Sequence, residues 1–463
     1  MIDQELANRV LNVALAKGAD FAEIFVEDRR GSSLSFEDRR VESVSDVISR
    51  GAGLRVVYGD TTGFAHTTDL SEPGLIAIAE TARSVATGGS SISVALEPRR
   101  SISGHGANAD DHSSSFKEQG VQVLARLDEV ARSTNGSIIQ VMAGISTAAR
   151  SFLVANSDGV FASSTTQRTR ASVSAIASGD TGLQSGSVPA AYTIDFNRFL
   201  AEIDLDDLAT TASHRALSKL KARPAPSGNL PVILKRGSGG ILFHEACGHG
   251  LEADHIVKRS SVYADRIGQM VASPLVTLID DGTVVDEWGT YAIDDEGHLG
   301  QRNVLIENGV LVDYLWDRKS GVKSRRSSSG NGRRQSYEHL PMVRMTNTFL
   351  LAGDTNPEDI IASTPYGVYV AALTGGQVNT ATGDFVFGTQ EAYLIEDGHL
   401  TAPLRDTQLI GNGPETLAKI DAIGDDFAMT PGTCGKQGQS VPVGTGQATL
   451  RISEMTLGGT SRG

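Results

Sequence analysis

The chain has 463 residues, and its 41 lysines and arginines stand against 55 aspartates and glutamates, a formal net charge of −14. That length holds two domains with substantial cores, and the acidity disfavours nucleic acid or an anionic membrane as a partner, since long-range attraction has the wrong sign. An apolar content of 40%, 51 glycines and 5% aromatics suit a β-rich, turn-rich enzyme rather than a coiled coil or a disordered chain, and no apolar run is long enough to span a membrane.

The first twenty residues carry acidic side chains early and place Leu6, Val10, Val13 and Ala14 at helical spacing, which predicts an amphipathic helix and not a signal peptide. Strand character follows at Phe21–Glu27, Leu34–Ser45, Gly53–Tyr58 and Thr61–Thr67, with Gly59-Asp60 as a hairpin turn. A helix is expected over Glu72–Ala86, a mobile crossing over the Ser/Gly/Asp-rich residues 87–114, and a second long helix over Phe116–Arg132. Alternating segments run from Ile138 to Ile176, broken by the turn Asn156-Ser-Asp-Gly159. Gly179-Asp180-Thr181 echoes Gly59-Asp60-Thr61, either as a repeated hairpin or by coincidence. A helix over Leu205–Leu220 leads into Ala222-Arg-Pro-Ala-Pro-Ser-Gly228, where proline removes donors and glycine loosens φ.

That break predicts two units: an N-terminal mixed α/β domain over 1–222, with hairpins and long helices, and a β-rich C-terminal domain over 229–463. The second half opens with an apolar strand, Leu230–Leu234, and a glycine-rich turn that lacks the lysine of a phosphate cradle. Leu305-Ile-Glu-Asn-Gly-Val-Leu311 and Leu394-Ile-Glu-Asp-Gly-His-Leu400 are near-copies, each a strand, a turn and a return strand. The expectation is an α+β protein whose C-terminal antiparallel sheet or barrel carries a short helix.

That helix holds the chemistry. In Gly239–Glu252, His244 is followed by Glu245, and His249 comes five positions after His244. Two neutral imidazoles beside a carboxylate are the smallest kit for a hydrolytic zinc site, with the carboxylate taking a proton from bound water. Five residues at 3.6 per turn put the second ring about 140° around an ideal helix, so both cannot aim at one ion. Gly248 and Gly250 bracket His249, and the expected helix over Gly240–Cys247 loosens at Gly248 to swing it back. A zinc site asks for a third ligand. Cys434 lies in Pro431-Gly-Thr-Cys-Gly-Lys-Gln-Gly-Gln-Ser440, read as a glycine-rich loop able to approach closely. With two cysteines there is no disulfide framework, so a reducing cytoplasm is expected; a Cys247–Cys434 bridge would compete with the metal.

Residues 244–254 (HEACGHGLEAD), 330–349 (GNGRRQSYEHLPMVRMTNTF), 375–398 (GGQVNTATGDFVFGTQEAYLIEDG) and 432–447 (GTCGKQGQSVPVGTGQ) together resemble the TldD/PmbA metalloprotease family, and within it the zinc-containing, TldD type of subunit. The resemblance spans nearly the whole chain and is densest after Leu230. It implies His244, His249 and Cys434 as zinc ligands and Glu245 as the catalytic base. It also implies substrates that are unfolded or flexible peptides, such as leader peptides or a disordered antitoxin. The implied partner is a TldE/PmbA-like subunit in a heterodimer, with a homodimer as the alternative. A non-catalytic regulatory subunit of such a complex is the competing class; retention of Glu245 beside the ligands argues against it.

Other residues have open roles at this level. Cys247, three residues from His244, is read as packing. Glu252 and Asp254 are either acceptors for a ligand imidazole N–H or a solvated helix end. Tyr337 and His339 either donate to an oxyanion or are structural. Arg333 and Arg334, with Lys323, Arg325 and Arg326, read as a solvated basic loop, with contact to substrate as the alternative that the resemblance implies.

Overall fold

The computed structural model describes residues 1–86 and 113–459; the crossing expected at 87–114 falls almost wholly outside them. The first half is built on a six-stranded antiparallel sheet ordered β3-β2-β1-β4-β5-β6. Its strands are β1 (Phe21–Glu37), β2 (Arg40–Tyr58), β3 (Thr61–Thr67), β4 (Ile138–Asn156), β5 (Phe161–Gly179) and β6 (Gly182–Tyr192). Its helices are α1 (Gln4–Leu15), α2 (Glu72–Val85), α3 (Ser113–Thr134), α4 (Phe196–Glu202) and α5 (Leu205–Leu220). The Asp3 side chain caps α1 by accepting from the Leu6 N–H.

Two sequence readings change in the fold. The expected strand Leu34–Ser45 is two strands, because Asp38 and Arg39 both take positive φ and turn the chain between β1 and β2. The echo of Gly59-Asp60 in Gly179-Asp180 is structural: the two segments turn β2 into β3 and β5 into β6. Each half of the sheet is a three-strand meander preceded and followed by helices, and the halves meet where β1 pairs with β4.

Strand alternation gives the sheet two different faces. Ala22, Ile24 and Val26 of β1 pack with α1 and α2. Phe25 points the other way, into a cluster with Phe152, Ile293 and Tyr337 that joins the sheet to the second half. Around that cluster Glu23 bonds Arg55 and Arg334, Arg55 also bonds Glu296, and Arg150 bonds Glu27 and Asp295. Arg334 is therefore buried in an ion-pair network, and buried Arg333 donates to the carbonyls of Met345 and Pro442. The reading of both as a solvated loop does not hold, because each guanidinium is engaged by partners distant in sequence. Lys323 and Arg326 do lie at the surface, paired with Asp60 and Asp313.

The second half is a mixed sheet that closes on itself. Its main strands are β7 (Gly228–Leu234), β8 (Leu278–Asp281), β9 (Asn347–Leu350), β10 (Tyr366–Val378), β11 (Asp384–Glu396), β12 (Gln408–Asn412), β13 (Ile420–Lys436) and β14 (Gln439–Gly458). β14 pairs β7, β7 pairs β10, β10 pairs β11, β11 pairs β12, and β12 returns to β14, which closes a barrel. The barrel is not purely antiparallel. β7 runs parallel to β10, and β9 parallel to β14, because long connections carrying helices separate them in sequence. Val232, Leu234, Val368, Val370, Phe387 and Leu450 belong to its apolar core. Both near-copy segments are hairpins as expected, Ile306 pairing with Leu311 and Ile395 with Leu400. No helix among the described residues is long and apolar enough to cross a membrane.

Candidate metal centre

After β7 the chain enters a helix, α6 (Gly240–Phe243), that changes pitch where the chemistry begins. His244–Gly248 is a π-helical turn and His249–Leu251 a 3₁₀ turn. The His249 N–H bonds the His244 carbonyl, an i→i+5 link between the two histidines themselves. A π turn takes about one more residue per turn than an α turn, so the five-residue spacing becomes a little over one revolution and both rings share a face. Their centroids lie 5.0 Å apart, with planes at 83°.

The widening begins at His244, not at Gly248 as the sequence suggested, and glycine serves a different purpose. Gly248 has helical φ, but a Cβ there would lie 2.1 Å from the sulfur of buried Met345. It allows close packing rather than bending.

Cys434 comes from the opposite direction. It does not sit in a loop: it lies on β13, paired with Val441 of β14, near the end of a long hairpin closed at Gln437-Gly438. Those two turn residues have positive φ, so the glycine-rich segment folds as a tight two-residue turn flanked by ladder bonds. Arg344, itself buried, donates to the Cys434 carbonyl and fixes this end of the hairpin.

The side chains of His244, His249 and Cys434 meet, all buried, with one donor atom from each within 4.8 Å of the others. Cys434 Sγ is 3.4 Å from His249 Nε2. Burial alone would raise the thiol, but His244 and His249 outweigh it and bring it down to about 4. Both ring nitrogens of His244 are buried without a hydrogen-bond partner. An imidazole left bare at this depth costs free energy that a bound cation would recover. The donor set, two imidazoles and a thiolate, suits a borderline-soft cation and not magnesium or calcium. Glu245 stands beside the cluster, partly exposed, with Oε2 3.8 Å from His249 Nε2.

His249 Nδ1 meets the Glu252 carboxylate at 2.8 Å, which directs Nε2 toward the cluster. Glu252 is fully buried; burial would raise its carboxyl, but Lys436 and His249 hold it well below the ordinary range. Lys436 Nζ donates to Glu252 at 2.9 Å, to Asp254 at 2.8 Å and to the Val343 carbonyl at 3.1 Å. Of the open pair, Glu252 touches the histidine and Asp254 holds the lysine that holds Glu252. The neighbouring group of Glu252, Asp254 and His255 already contains this ammonium.

Lys436 was missed at the sequence level, although strand alternation points to it. Cys434 and Lys436 are two apart on β13 and so project from one face, the first onto His249 and the second onto Glu252. Cys247 has the opposite environment. Burial pushes its thiol up to about 12, and Sγ donates to the Phe243 carbonyl within the core. The two cysteines are free. Tyr337 packs in the cluster between the two halves, and His339 bonds Ser336.

Two imidazoles, a thiol and an accessible carboxylate gathered at one point make the donor set of a metal-dependent hydrolase. Comparison with known proteins agrees. Residues 22–86, 110–220 and 227–459 match domain 1, the central domain and the C-terminal domain of the PmbA/TldA metallopeptidases. A "Metalloprotease TldD homolog" of Haemophilus influenzae is 38% identical over 466 residues, spanning 99% of this chain and 96% of that protein. A "Zinc metalloprotease TldD homolog" of Saccharolobus solfataricus is 32% identical over 261 residues, 55% of this chain and 57% of that one. The crystal structure of TldE from Thermococcus kodakarensis superposes with a TM-score of 0.74 at 19% identity, covering 98% of this chain and 99% of that one; at this identity the likeness is of fold. The chain belongs to the PmbA/TldD metallopeptidase family and is of its TldD type. It is a metallopeptidase with a metal cofactor.

Proposed function

We propose that the protein is a zinc-dependent endopeptidase of unfolded or flexible peptides, with His244, His249 and Cys434 as the ligands and Glu245 as the base. The single observation that carries this reading is the pair of buried, unpartnered nitrogens of His244 facing the Cys434 sulfur and a second imidazole. When bound, zinc supplies Lewis acidity, lowering the pKa of water and polarising a carbonyl. The chain's own residues do the rest. Glu245 accepts the proton of the attacking water at a carboxylate oxygen and delivers it to the leaving amine nitrogen. Glu252, held by Lys436, keeps the proton of His249 on Nδ1 and so leaves Nε2 free to donate its lone pair. The negative thiolate tempers Lewis acidity relative to a third imidazole.

The same reading extends to context. It gives a chain of two units, 1–222 and 229–463, working in the cytoplasm with a TldE/PmbA-like subunit or a second copy, on substrates such as leader peptides or a disordered antitoxin. A purely regulatory subunit would have no use for a carboxylate 3.8 Å from a ligand imidazole.

Metal content and peptide hydrolysis of four proteins test the assignment. Wild type and Cys247→Ala bind one equivalent of zinc, Cys434→Ala loses it, and Glu245→Gln keeps it while hydrolysis falls by roughly 10²–10⁴-fold. Zinc retained by Cys434→Ala, or wild-type turnover by Glu245→Gln, would refute these roles.

A further inference from the structure

A cavity of ≈ 640 Å³ lies between the N-terminal sheet and the hairpin that carries Cys434. One wall is β1, β4 and β5; the other includes Thr433 and Val441, the chain neighbour and the cross-strand partner of Cys434. Its lining therefore begins one residue from the metal cluster.

The charge of this cavity opposes that of the chain. Strand register sets Arg29 directly across from Arg150 and Arg150 across from Thr166, with Arg168 and Arg170 next along β5 on the same face. Like charges directly opposite each other in a sheet are destabilising unless they are neutralised. Arg150 is neutralised, by Glu27 and Asp295. The others are not. Arg168 donates to the carbonyls of Trp288 and Thr290 and to the Thr166 hydroxyl, and Arg333 to the carbonyls of Met345 and Pro442; no anion is among these partners. Among the described residues Arg29 and Arg170 make no ion pair. Burial and Glu296 raise the carboxyl of nearby Asp294 well above the ordinary range, and its oxygens are taken up by the Glu296, His298 and Gly332 N–H groups. Burial, with Arg333 and Arg150, pulls the Arg168 guanidinium down to about 9 against the opposing pull of Asp295. In a protein of net charge −14, a walled cavity holding several unneutralised guanidinium groups is complementary to an anion.

We propose that this cavity is a substrate subsite for a peptide carboxylate, held by Arg29, Arg168 and Arg170 while the chain of the same peptide passes the metal cluster. The carboxylate is that of an acidic side chain or of a free C-terminus. The inference rests on the peptidase reading for the identity of its ligand but not for its test, which measures binding.

The test uses the full-length, zinc-loaded Glu245→Gln protein, so that peptide is not consumed, and fluorescein-labelled peptides read by anisotropy. The peptides share one sequence and differ only in charge: a free C-terminal carboxylate, a C-terminal amide, and the amide with one internal Gln replaced by Glu. The expected result is a Kd roughly tenfold lower for one or both carboxylate peptides than for the amide, narrowing as salt rises. The peptide that gains identifies the source of the carboxylate. Adding Arg168→Gln abolishes the preference and Arg168→Lys, which keeps the charge, retains part of it. Arg29→Gln and Arg170→Gln alter exposed side chains and weaken the preference even if Arg168→Gln does not fold. Equal Kd for all three peptides, or a preference untouched by the Gln variants, overturns the proposal. Hydrolysis by the Glu245 protein is assayed separately: its absence would sink the peptidase reading and leave the carboxylate preference standing or falling by anisotropy alone.

Discussion

Replacing Lys436 with Met is the sharpest test of how the metal cluster is held. Lys436 is 7% exposed and Glu252 0%, so the substitution removes an ammonium from a carboxylate that has no water to fall back on. Breaking a buried pair from one side typically costs about 3–5 kcal/mol. Glu252 keeps its contact with His249 Nδ1, which places this case at the lower end, about 3 kcal/mol. At about 2–4 °C per kcal/mol for a domain of this size, the midpoint of thermal unfolding drops by roughly 6–12 °C. On the proposed ligand set, a separate loss appears in zinc affinity. With Glu252 no longer pinned, His249 loses its fixed orientation, and disturbing such an outer partner costs about 10–100-fold in affinity. Thermal unfolding by circular dichroism, with and without zinc, and competition against a chromophoric chelator give the two quantities independently. The double variant Lys436→Met/Glu252→Gln should recover part of the stability, because the stranded charge is gone, without recovering affinity. If the single variant unfolds within about 2 °C of wild type and binds zinc equally well, the relay from Lys436 through Glu252 to His249 has no energetic content.

Two further outcomes follow from the packing. Burial and neighbouring Asp286 raise Glu287 to about 7, so between about pH 4.5 and pH 7 the folded chain keeps a proton that the unfolded chain has lost. Stability therefore falls as pH rises through that window, and Glu287→Gln removes about 1–2 kcal/mol of this decline, discounted for partial exposure; an unchanged difference between denaturation midpoints at pH 5 and pH 8 would contradict it. Gly248→Ala drives a Cβ to within 2.1 Å of the Met345 sulfur, which should cost about 1–3 kcal/mol and loosen zinc by displacing the π turn. Met345→Ala in the same chain should restore zinc binding, and a Gly248→Ala protein with wild-type affinity would show that the close approach is unimportant.

Much of this molecule is legible along the chain. Residue spacing alone gives α1, α2, α3 and α5 to within a few residues, and the Gly-Asp and Asn-Gly turns give the hairpins, because such signals depend only on neighbours in sequence. The long strands were read too short. The distal half of β2 leaves Val41, Val44, Val47 and Ile48 exposed, so no buried face marks it, and two positive-φ residues that are not glycine hide the turn that divides Leu34–Ser45 between β1 and β2. The parallel pairing of β7 with β10 and the closure through β12 depend on partners far apart along the chain, which no local pattern encodes.

At the site, the residue types and their order were set by the sequence: two histidines, the glutamate between them, and a distant cysteine. What the tertiary structure alone decided is that they meet. A five-residue spacing is wrong for an α-helix and right for a π turn, and the wider turn is held in the core by packing that brings Met345 against Gly248. Lys436 and Arg333 look like solvent-facing cations in sequence and are structural inside the fold. Charge in a protein is bearable at depth only where a partner waits for it, and those partners, Glu252 for Lys436 and backbone carbonyls for Arg333, come from segments that only folding brings near.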